Sequence, residues 1–427
     1  MTVKEFLTKH GMNHETVDIE KCCGEFMEDM KKGLAGEKSS LMMLPAYVGL
    51  GGDVPLNETV IVMDAGGTNF RVVSFHFNDE KKPVIENFKV YPMPGSKGTI
   101  TKAEFFETVA DYLEPVVDKS DKVGFCFSYP TEILPNMDGR LIEFNKEVHV
   151  TGSEGMIVGE GINEVLKARG KSPKKFILLN DTVAAMLGGV MAYPDRCFDS
   201  YIGFILGTGT NTCYVEKGEN IVKIKTDSKL MAINMESGDY NKMPRGEIDR
   251  LYDQGTDNPG AHTYEKEVSG AYQGGVIHQT ILKAMEEGLF SDDFCGAYKK
   301  LPELSMRSID DFCFYPYGEN PLSACCGENE ADRTAAYQII DESFERAAKL
   351  VCVNISSILM FTGNGKSPLK PVCVAAEGTT FYKSKLFRGK LDYYIRSFLN
   401  DKHGLYCEFV KAENANLVGS AIAALLN

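Results

Sequence analysis

The sequence lacks an excess of positive charge, because 46 lysines and arginines stand against 60 aspartates and glutamates and give a formal net charge of -14. Nucleic acids and anionic membranes attract proteins through a positive field, so neither is an expected partner. A small polyanion accompanied by a cation, or bound by backbone N–H groups, is compatible with this charge. The expected ligands are therefore small molecules, including a metal–nucleotide complex.

Long apolar runs and zinc-type cysteine spacings are also missing. No apolar stretch approaches the roughly 20 residues of a membrane span, and residues 1–11 lack the apolar core of a signal peptide. The 12 cysteines include two adjacent pairs but no C-x-x-C spacing. Cys126 and Cys213 lie in apolar, strand-like runs, which favours buried and reduced side chains. We expect a cytoplasmic protein without a cysteine metal site.

The chain does have length enough for two hydrophobic cores. Its 427 residues, of which 43% are hydrophobic and 25% charged, predict a soluble protein of two lobes. Two lobes imply a cleft between them. Apolar residues at three- and four-residue steps predict an amphipathic helix from Ile19 to Leu34, and the polar stretch 318–331 is typical of a surface loop.

One pattern, a β-branched strand followed by a glycine turn and a second strand, occurs twice. Residues 58–64 and 69–77 flank the first turn, and residues 201–206 and 212–215 flank the second. A looser version of this strand-and-glycine pattern starts with the strand-like residues 372–377. The apolar run 176–179 predicts a further strand, which ends at Asn180 and leads into a helix. Strands mixed with helices predict a layered α/β architecture with ligands at the ends of the strands.

The glycine turns have the chemistry of phosphate sites. Glycine lets backbone N–H groups approach oxygens closely, and a threonine hydroxyl adds a donor. The turns consist of Gly66, Gly67 and Thr68, and of Gly207, Thr208 and Gly209. Either turn alone is as well explained by an ordinary hairpin, but two turns on the same plan favour phosphate binding. There is no Walker-type phosphate loop.

Two aspartates stand where strands end. Asp64 can hold a hydrated Mg²⁺ against bound phosphates, or it can simply begin the turn. Asp181 lies between a buried strand and a helix, so it can be a helix N-cap, a carboxylate that faces the cleft, or both. The residues alone leave these alternatives open.

Several ordered segments resemble the eukaryotic-type hexokinases from about Ile19 to the end of the chain. The first phosphate motif of that family resembles residues 64–72 (DAGGTNFRV), the sugar-site strand 125–130 (FCFSYP), the catalytic-aspartate segment 179–183 (LNDTV) and the second phosphate motif 207–211 (GTGTN). Further matches are 40–45 (SLMMLP), 233–236 (INME), 258–260 (NPG) and 264–266 (YEK). Such an ordered series is highly specific.

The resemblance implies roles for individual positions. The hexose would be bound by Ser128, Asn145, Lys146, Asn180, Asp181, Asn211, Glu236 and Glu265, with Asp181 and Lys146 catalytic. The nucleotide would be bound by Asp64, Gly66, Gly67, Thr68, Asn69, Arg71, Gly207, Thr208, Gly209, Gly378 and Thr379, with Mg²⁺ near Asp64 through water. Without the resemblance, Lys146 reads as a surface lysine, Arg71 as an ion-pair partner, and Glu265 with Lys266 as a solvated helix face.

The resemblance also implies a fold and a reaction. The fold would be the duplicated, actin-like and ribonuclease-H-like ATPase fold, with residues 59–180 plus 416–427 in a small lobe and 1–58 plus 181–415 in a large lobe. The protein would transfer the γ-phosphoryl group of Mg-ATP to the 6-hydroxyl of glucose or a related hexose, and its lobes would close on the sugar. The alternative is a nucleotide-binding regulator or chaperone-like ATPase on the same fold. The assembly is open between a monomer and a homodimer.

Four departures from the family pattern concern the ligand sites. Asn145 replaces the usual threonine before Lys146, and Ser237 replaces a frequent tryptophan in a chain that contains no tryptophan. Glu377 replaces an aspartate before Gly378, and residues 413–416 (ENAN) replace a common Asp-Gly-Ser-Gly turn. The last two departures fall around the expected adenine and ribose contacts.

Overall fold

The computed structural model describes residues 1–49, 53–144, 148–193 and 195–427, which fold as a layered α/β protein. The strands are β1 (Leu44–Pro45), β2 (Val60–Ala65), β3 (Asn69–Phe77), β4 (Pro83–Pro92), β5 (Ile100–Thr101), β6 (Lys122–Phe127), β7 (Thr131–Ile133), β8 (Gly139–Leu141), β9 (Val150–Thr151), β10 (Lys175–Leu179), β11 (Tyr201–Leu206), β12 (Thr210–Lys217), β13 (Leu230–Asn234), β14 (Val372–Glu377) and β15 (Cys407–Val410). The helices are α1 (Val3–Lys9), α2 (Ile19–Ala35), α3 (Lys102–Leu113), α4 (Val158–Ala168), α5 (Asp181–Ala192), α6 (Glu247–Gln254), α7 (Thr263–Val268), α8 (Gln273–Glu286), α9 (Asp292–Tyr298), α10 (Met306–Phe314), α11 (Pro321–Cys326), α12 (Glu330–Thr362), α13 (Thr379–Lys383), α14 (Phe387–Tyr394), α15 (Asp401–His403) and α16 (Ala415–Leu426).

The two large sheets have the same internal plan. One has the order β10-β6-β2-β3-β4, and the other has the order β15-β14-β11-β12-β13, with β1 added at its edge. In each sheet a hairpin (β2–β3 or β11–β12) continues into a third antiparallel strand, and two parallel strands follow on the other side. The two glycine turns therefore occupy equivalent positions in a duplicated architecture.

Most sequence predictions of local structure are confirmed. The strand–turn–strand segments form β2–β3 and β11–β12, and β2 is buried along its whole length. The predicted amphipathic helix is α2, which buries Cys22, Phe26, Met30 and Leu34. Cys126 and Cys213 are buried. These elements were predictable because the period of the apolar residues matches the period of the element.

One local prediction is wrong, and one of the alternatives left open for Asp181 is excluded. The stretch 318–331 is not a loop throughout, because Asn320 caps α11, Pro321 opens it, and α12 begins at Glu330. Pro321 suits the first position of a helix, where no N–H partner is needed. The N-cap of α5 is Asn180, whose side chain accepts a hydrogen bond from the N–H of Thr182 at 2.9 Å. Asp181 is the first residue of the helix instead.

Helices α5 and α16 lie between the two sheets and are exchanged between them. Helix α5 follows β10 of the five-stranded sheet but packs on β11 and β14 of the other, whereas α16 follows β15 and packs on β2 and β6. The two helices also pack on each other very closely, since a Cβ on Gly419 would lie 1.9 Å from the carbonyl oxygen of Ala184. Their contact belongs to a core that includes Val62, Leu179 and Ile422.

Within the described ranges no helix is both long enough and apolar enough to cross a bilayer.

Replacing Gly419 by alanine should destabilise the protein by about 3 kcal/mol or more, because the added methyl group would meet backbone that cannot move aside cheaply. The matched control is Gly389→Ala, at an exposed position in α14 where no atom lies within 4 Å of the new Cβ. There alanine should raise the free energy of unfolding by about 0.5–1 kcal/mol, because glycine is the poorer helix former. Urea unfolding monitored by circular dichroism measures the free energy of unfolding of both variants. Equal stabilities of the two variants would contradict the close packing of α5 and α16.

Candidate functional site

The start of α5 is the centre of the site, because it brings a carboxylate to the end of a buried strand. Strand β10 ends at Leu179, Asn180 caps the helix, and Asp181 follows as a half-buried side chain. The hydroxyl of Thr182 donates to Oδ1 of Asp181 at 3.2 Å. The side chain of Asp181 is thus held at a helix N-terminus, where the helix dipole favours negative charge.

A chain of amide side chains connects this helix start to Glu236. Nδ2 of Asn211 donates to Oδ1 of Asn180 at 3.4 Å and to Oδ1 of Asn234 at 2.8 Å. Nδ2 of Asn234 in turn donates to Oε1 of Glu236 at 2.7 Å. The structure therefore brings together Asn180, Asn211 and Glu236, which were predicted to bind sugar, and adds Asn234 between them.

Glu236 has an unusual backbone and an unusual charge environment. Its φ of 51° and ψ of 51° are left-handed, a conformation that costs energy in a residue with a Cβ and that is often found at functional sites. The pKa of Glu236 is raised to about 7, mainly by burial and also by the negative charges of Asp181, Asp239 and Glu265. The hydrogen bond from Asn234 acts in the opposite direction.

Glu265, on the short helix α7, joins the sugar-site residues to the second glycine turn. Its Oε2 accepts a hydrogen bond from the backbone N–H of Thr210 at 2.9 Å, and a Cβ on Gly209 would lie 2.5 Å from the same oxygen. Nearby, Nδ1 of His262 lies 2.5 Å from Oδ1 of Asp239, and this carboxylate raises the pKa of His262. Carboxylates thus surround the site from α5, α7 and the turn after β13.

The residue after Glu265 is buried, so the reading of this helix as a solvated face is wrong. Lys266 is 2% exposed, and its Nζ donates to Asp253 at 2.6 Å, to Thr256 at 2.9 Å and to the carbonyl oxygen of Asn258 at 2.8 Å. Buried lysines need such partners. The side chain anchors α7 to the loop after α6.

A second buried ion pair holds the same helix from the other side. Nη2 of Arg346, on the long helix α12, lies 2.6 Å from Asp249 and 3.1 Å from Glu267. All three side chains are at most 5% exposed. A six-residue helix has little stability of its own, so these contacts fix the position from which Glu265 reaches the turn.

The first glycine turn is a tight hairpin between β2 and β3. The N–H of Gly66 donates to the carbonyl oxygen of Asn69 at 3.0 Å, Gly67 is half-buried, and Thr68 and Asn69 are exposed. The turn thus leaves a hydroxyl and an amide at the surface, as phosphate binding requires.

Asp64 lies on β2 just before that turn and is paired with Arg71. The two residues are opposite each other in the β2–β3 register, and Nη1 of Arg71 lies 2.6 Å from Oδ2 of Asp64. Burial raises the pKa of Asp64, and Arg71 partly offsets this effect. The charge of Asp181 acts on Asp64, so the two carboxylates are within electrostatic range. Arg71 is an ion-pair partner here.

A magnesium ion fits this arrangement only as a hydrated ion. Among the described residues, no group of three or more His, Cys, Asp and Glu side chains could hold a metal ion. Asp64 is one carboxylate, 2% exposed, with one oxygen bonded to Arg71. Mg²⁺ retains several waters and is commonly bound by one or two carboxylates and substrate phosphates. Asp64 therefore suits a hydrated Mg²⁺ ion whose other ligands are water and substrate phosphates.

The second and third glycine segments meet where β11 and β14, two neighbouring strands inside the six-stranded sheet, end. Gly378 has a φ of 113°, and a Cβ there would lie 2.2 Å from the carbonyl oxygen of Leu206, so only glycine fits. The hydroxyl of Thr380 donates to the carbonyl oxygen of Gly207 at 2.9 Å. Thr208 and Thr379 are exposed beside this contact. A phosphate group could therefore reach both segments.

The remaining predicted sugar-site residues are Ser128, Asn145 and Lys146. Asn145 and Lys146 lie outside the described residues. Ser128 is half-buried at the end of β6, and its N–H donates to the carbonyl oxygen of Ala65 at 3.2 Å, which joins the strand end to the first glycine turn.

The departures from the family pattern also have structural explanations. Ser237 is fully buried, and its hydroxyl lies 3.0 Å from that of Thr212, so a polar contact fills part of this position. Asn414 adopts a left-handed φ of 51°, which asparagine tolerates well, and it precedes α16 as a turn glycine could. Glu377 ends β14, where burial raises its pKa and Lys411 opposes the effect.

Asn234 is the site residue that sequence reasoning missed. It lies within the INME segment, but an amide at the end of a strand has no distinctive spacing. The available signal was its position at the end of an apolar strand, two residues before Glu236. That signal is weak without the fold.

Comparison with known proteins finds one family. A family model described as Hexokinase matches residues 2–191, and a second with the same description matches residues 201–426. Hexokinase-5 of Oryza sativa subsp. japonica is 27% identical over 451 residues, which cover 97% of this chain and 88% of that protein. Human Hexokinase-2 is 27% identical over 447 residues, which cover 98% of this chain but 47% of the human protein. The chain thus spans about half of that relative.

Among solved structures, the hexokinase from Schistosoma mansoni complexed with glucose superimposes with a TM-score of 0.78 at 25% sequence identity. The match covers 99% of this chain and 100% of that one. Together with the duplicated sheets, it confirms the expected two-lobed α/β fold of the actin-like ATPases. The chain therefore belongs to the hexokinase family and is a hexose kinase.

Proposed function

We propose that this hexose kinase transfers the γ-phosphoryl group of Mg-ATP to the 6-hydroxyl of glucose or a related hexose. The observation that carries the proposal is the convergence of Asn180, Asp181, Asn211, Glu236 and Glu265 beside a glycine turn. A sugar presents adjacent hydroxyls, and amides and carboxylates can bind two of them at once. A protein that only bound nucleotide would not need this set.

Asp181 is the proposed general base. A primary hydroxyl is a poor nucleophile at neutral pH, so a carboxylate in hydrogen-bond reach would accept its proton as the bond to phosphorus forms. In support, Asp181 is half-buried at the start of α5, so part of the residue is accessible to a ligand. Lys146 would assist by neutralising charge on the transferred group.

The phosphate groups would contact the glycine turns. Phosphoryl transfer depends mainly on alignment and on charge neutralisation. Backbone N–H groups and the exposed hydroxyls of Thr68, Thr208 and Thr379 would supply neutral donors from both sheets. The Mg²⁺ would neutralise phosphate charge, with Asp64 as its nearest carboxylate. Gly378 and the departures Glu377 and 413–416 would lie at the nucleoside end.

The lobes would close when the sugar binds. We propose the division expected from the sequence, with residues 59–180 plus 416–427 in one lobe and 1–58 plus 181–415 in the other. In support, the five-stranded sheet consists of strands from the first set and the six-stranded sheet of strands from the second. Closure would exclude water, which is the obvious competing acceptor. The alternative of a regulator or chaperone-like ATPase has no observation in its favour.

Replacing Asp181 by alanine should lower kcat about 10²- to 10⁴-fold, the range of a lost general base, while the protein stays folded. A coupled assay with ATP measures turnover on glucose, fructose, mannose and N-acetylglucosamine, with pyrophosphate and polyphosphate as alternative donors. The matched control is Asp292→Ala, because Asp292 also begins a helix after a capping side chain but lies outside the site. Near-normal turnover by folded Asp181→Ala would remove Asp181 from the mechanism. Wild-type protein inactive with every sugar and donor would contradict the proposed function.

Glucose should make the protein more compact. Small-angle scattering at saturating glucose should give a smaller radius of gyration than without sugar, because closure would bring the two sheets together. A non-binding sugar at the same concentration is the control. Identical profiles with and without bound glucose would argue against closure.

Glucose affinity should weaken as the pH falls through about 7. Only the ionised carboxylate of Glu236 accepts hydrogen bonds from two sugar hydroxyls, and its pKa of about 7 in the free protein means that protonation competes with binding below that pH. Above about pH 8 the affinity should level off. Titration calorimetry between pH 5.5 and 8.5 measures this, and Glu236→Gln should bind more weakly with little pH dependence near 7. A wild-type affinity independent of pH would show that Glu236 does not bind the sugar as a carboxylate.

A further inference from the structure

The direction of every hydrogen bond in the amide chain is fixed by the backbone. Oδ1 of Asn211 accepts from the backbone N–H groups of Thr212 at 2.7 Å and Ser237 at 3.2 Å, and backbone nitrogens can only donate. The Nδ2 group of Asn211 must therefore face Oδ1 of Asn234. It follows that the Nδ2 group of Asn234 faces Glu236 and donates to it at 2.7 Å.

This polarity matters because like charges approach Glu236 from several sides. The charges of Asp181 on α5, of Glu265 on α7 and of Asp239 in the same turn all act on it, and Asp239 is paired with His262. A neutral donor that favours the ionised carboxylate opposes these charges without adding a cation. Asn234 is 6% exposed, so its amide acts on a ligand through its neighbours.

We propose that Asn234 is a positioning residue that holds the Glu236 carboxylate in the orientation that binds the hexose. Through Asn211 it connects this carboxylate to Asn180, the cap of the helix that begins with Asp181. The sugar-binding glutamate and the general base are thereby held in one hydrogen-bonded unit. This inference rests on the proposed function.

The test is Asn234→Asp, which has nearly the same shape. The new carboxylate can still accept from Asn211, but when ionised it cannot donate to Glu236, and it adds a negative charge beside it. We expect the Kd for glucose at pH 7.5 to rise about tenfold or more, and the pH midpoint of binding to move upward. The KM for glucose should rise more than kcat falls, because ground-state binding is what changes.

The matched control is Asn220→Asp. Nδ2 of Asn220 donates to Oε1 of Glu216 at 2.8 Å, and Glu216 is 2% exposed, so the substitution places the same charge beside another buried glutamate on β12. It should leave the glucose Kd and its pH midpoint unchanged, whatever it does to the melting temperature. An equal shift in both variants would overturn the proposal, because the effect would then be general.

A second variant tests the same role if Asn234→Asp fails to fold. Asn234→Ser keeps a hydroxyl but ends one bond short of the amide nitrogen, and it should weaken glucose binding in the same direction without adding charge. A folded Asn234→Asp or Asn234→Ser protein whose glucose Kd stays within twofold of the wild-type value and whose pH midpoint does not move would overturn the positioning role. A wild-type protein that binds and phosphorylates no hexose would instead remove the proposed function, and the inference with it.

Discussion

The position of helix α5 is the constraint on which the site depends. Its first turn lies directly on β11, since a Cβ on Gly203 would be 2.2 Å from the carbonyl oxygen of Thr182. The helix is also in close backbone contact with α16, at Ala184 and at Gly188. A helix held by backbone contacts cannot rotate without breaking them. Asp181 therefore has its place set by the packing of rigid elements rather than by a loop, which is what its proposed role as general base requires.

The site is negative in a protein that is itself negative, and neutral donors balance it. The described part of the site has carboxylates on α5, α7 and the turn after β13, and amides of Asn211 and Asn234 lie between them. A neutral sugar can bind to such a surface because its hydroxyls donate to carboxylates and accept from amides. A highly charged phosphate chain would need help at such a site, which the proposed contacts supply as backbone N–H groups of the glycine turns and a cation.

Local structure was largely predictable from the sequence, whereas the site was not predictable from local patterns alone. The strands on either side of Gly66 and Gly207 follow from apolar runs and glycine. Glu265 was identified only by resemblance, because its contact with Thr210 spans 55 residues of sequence. Lys266 looked solvated because its partner Asp253 comes from another helix. Asn180 rather than Asp181 caps α5, a choice between neighbours that propensity cannot decide.

The exchange of α5 and α16 between the sheets has a consequence for the chain as a whole. Each half of the duplication ends in a helix that covers one apolar face of the sheet in the other half, so the two halves are interlocked. Expressed alone, each half would leave one apolar face of its sheet exposed to water.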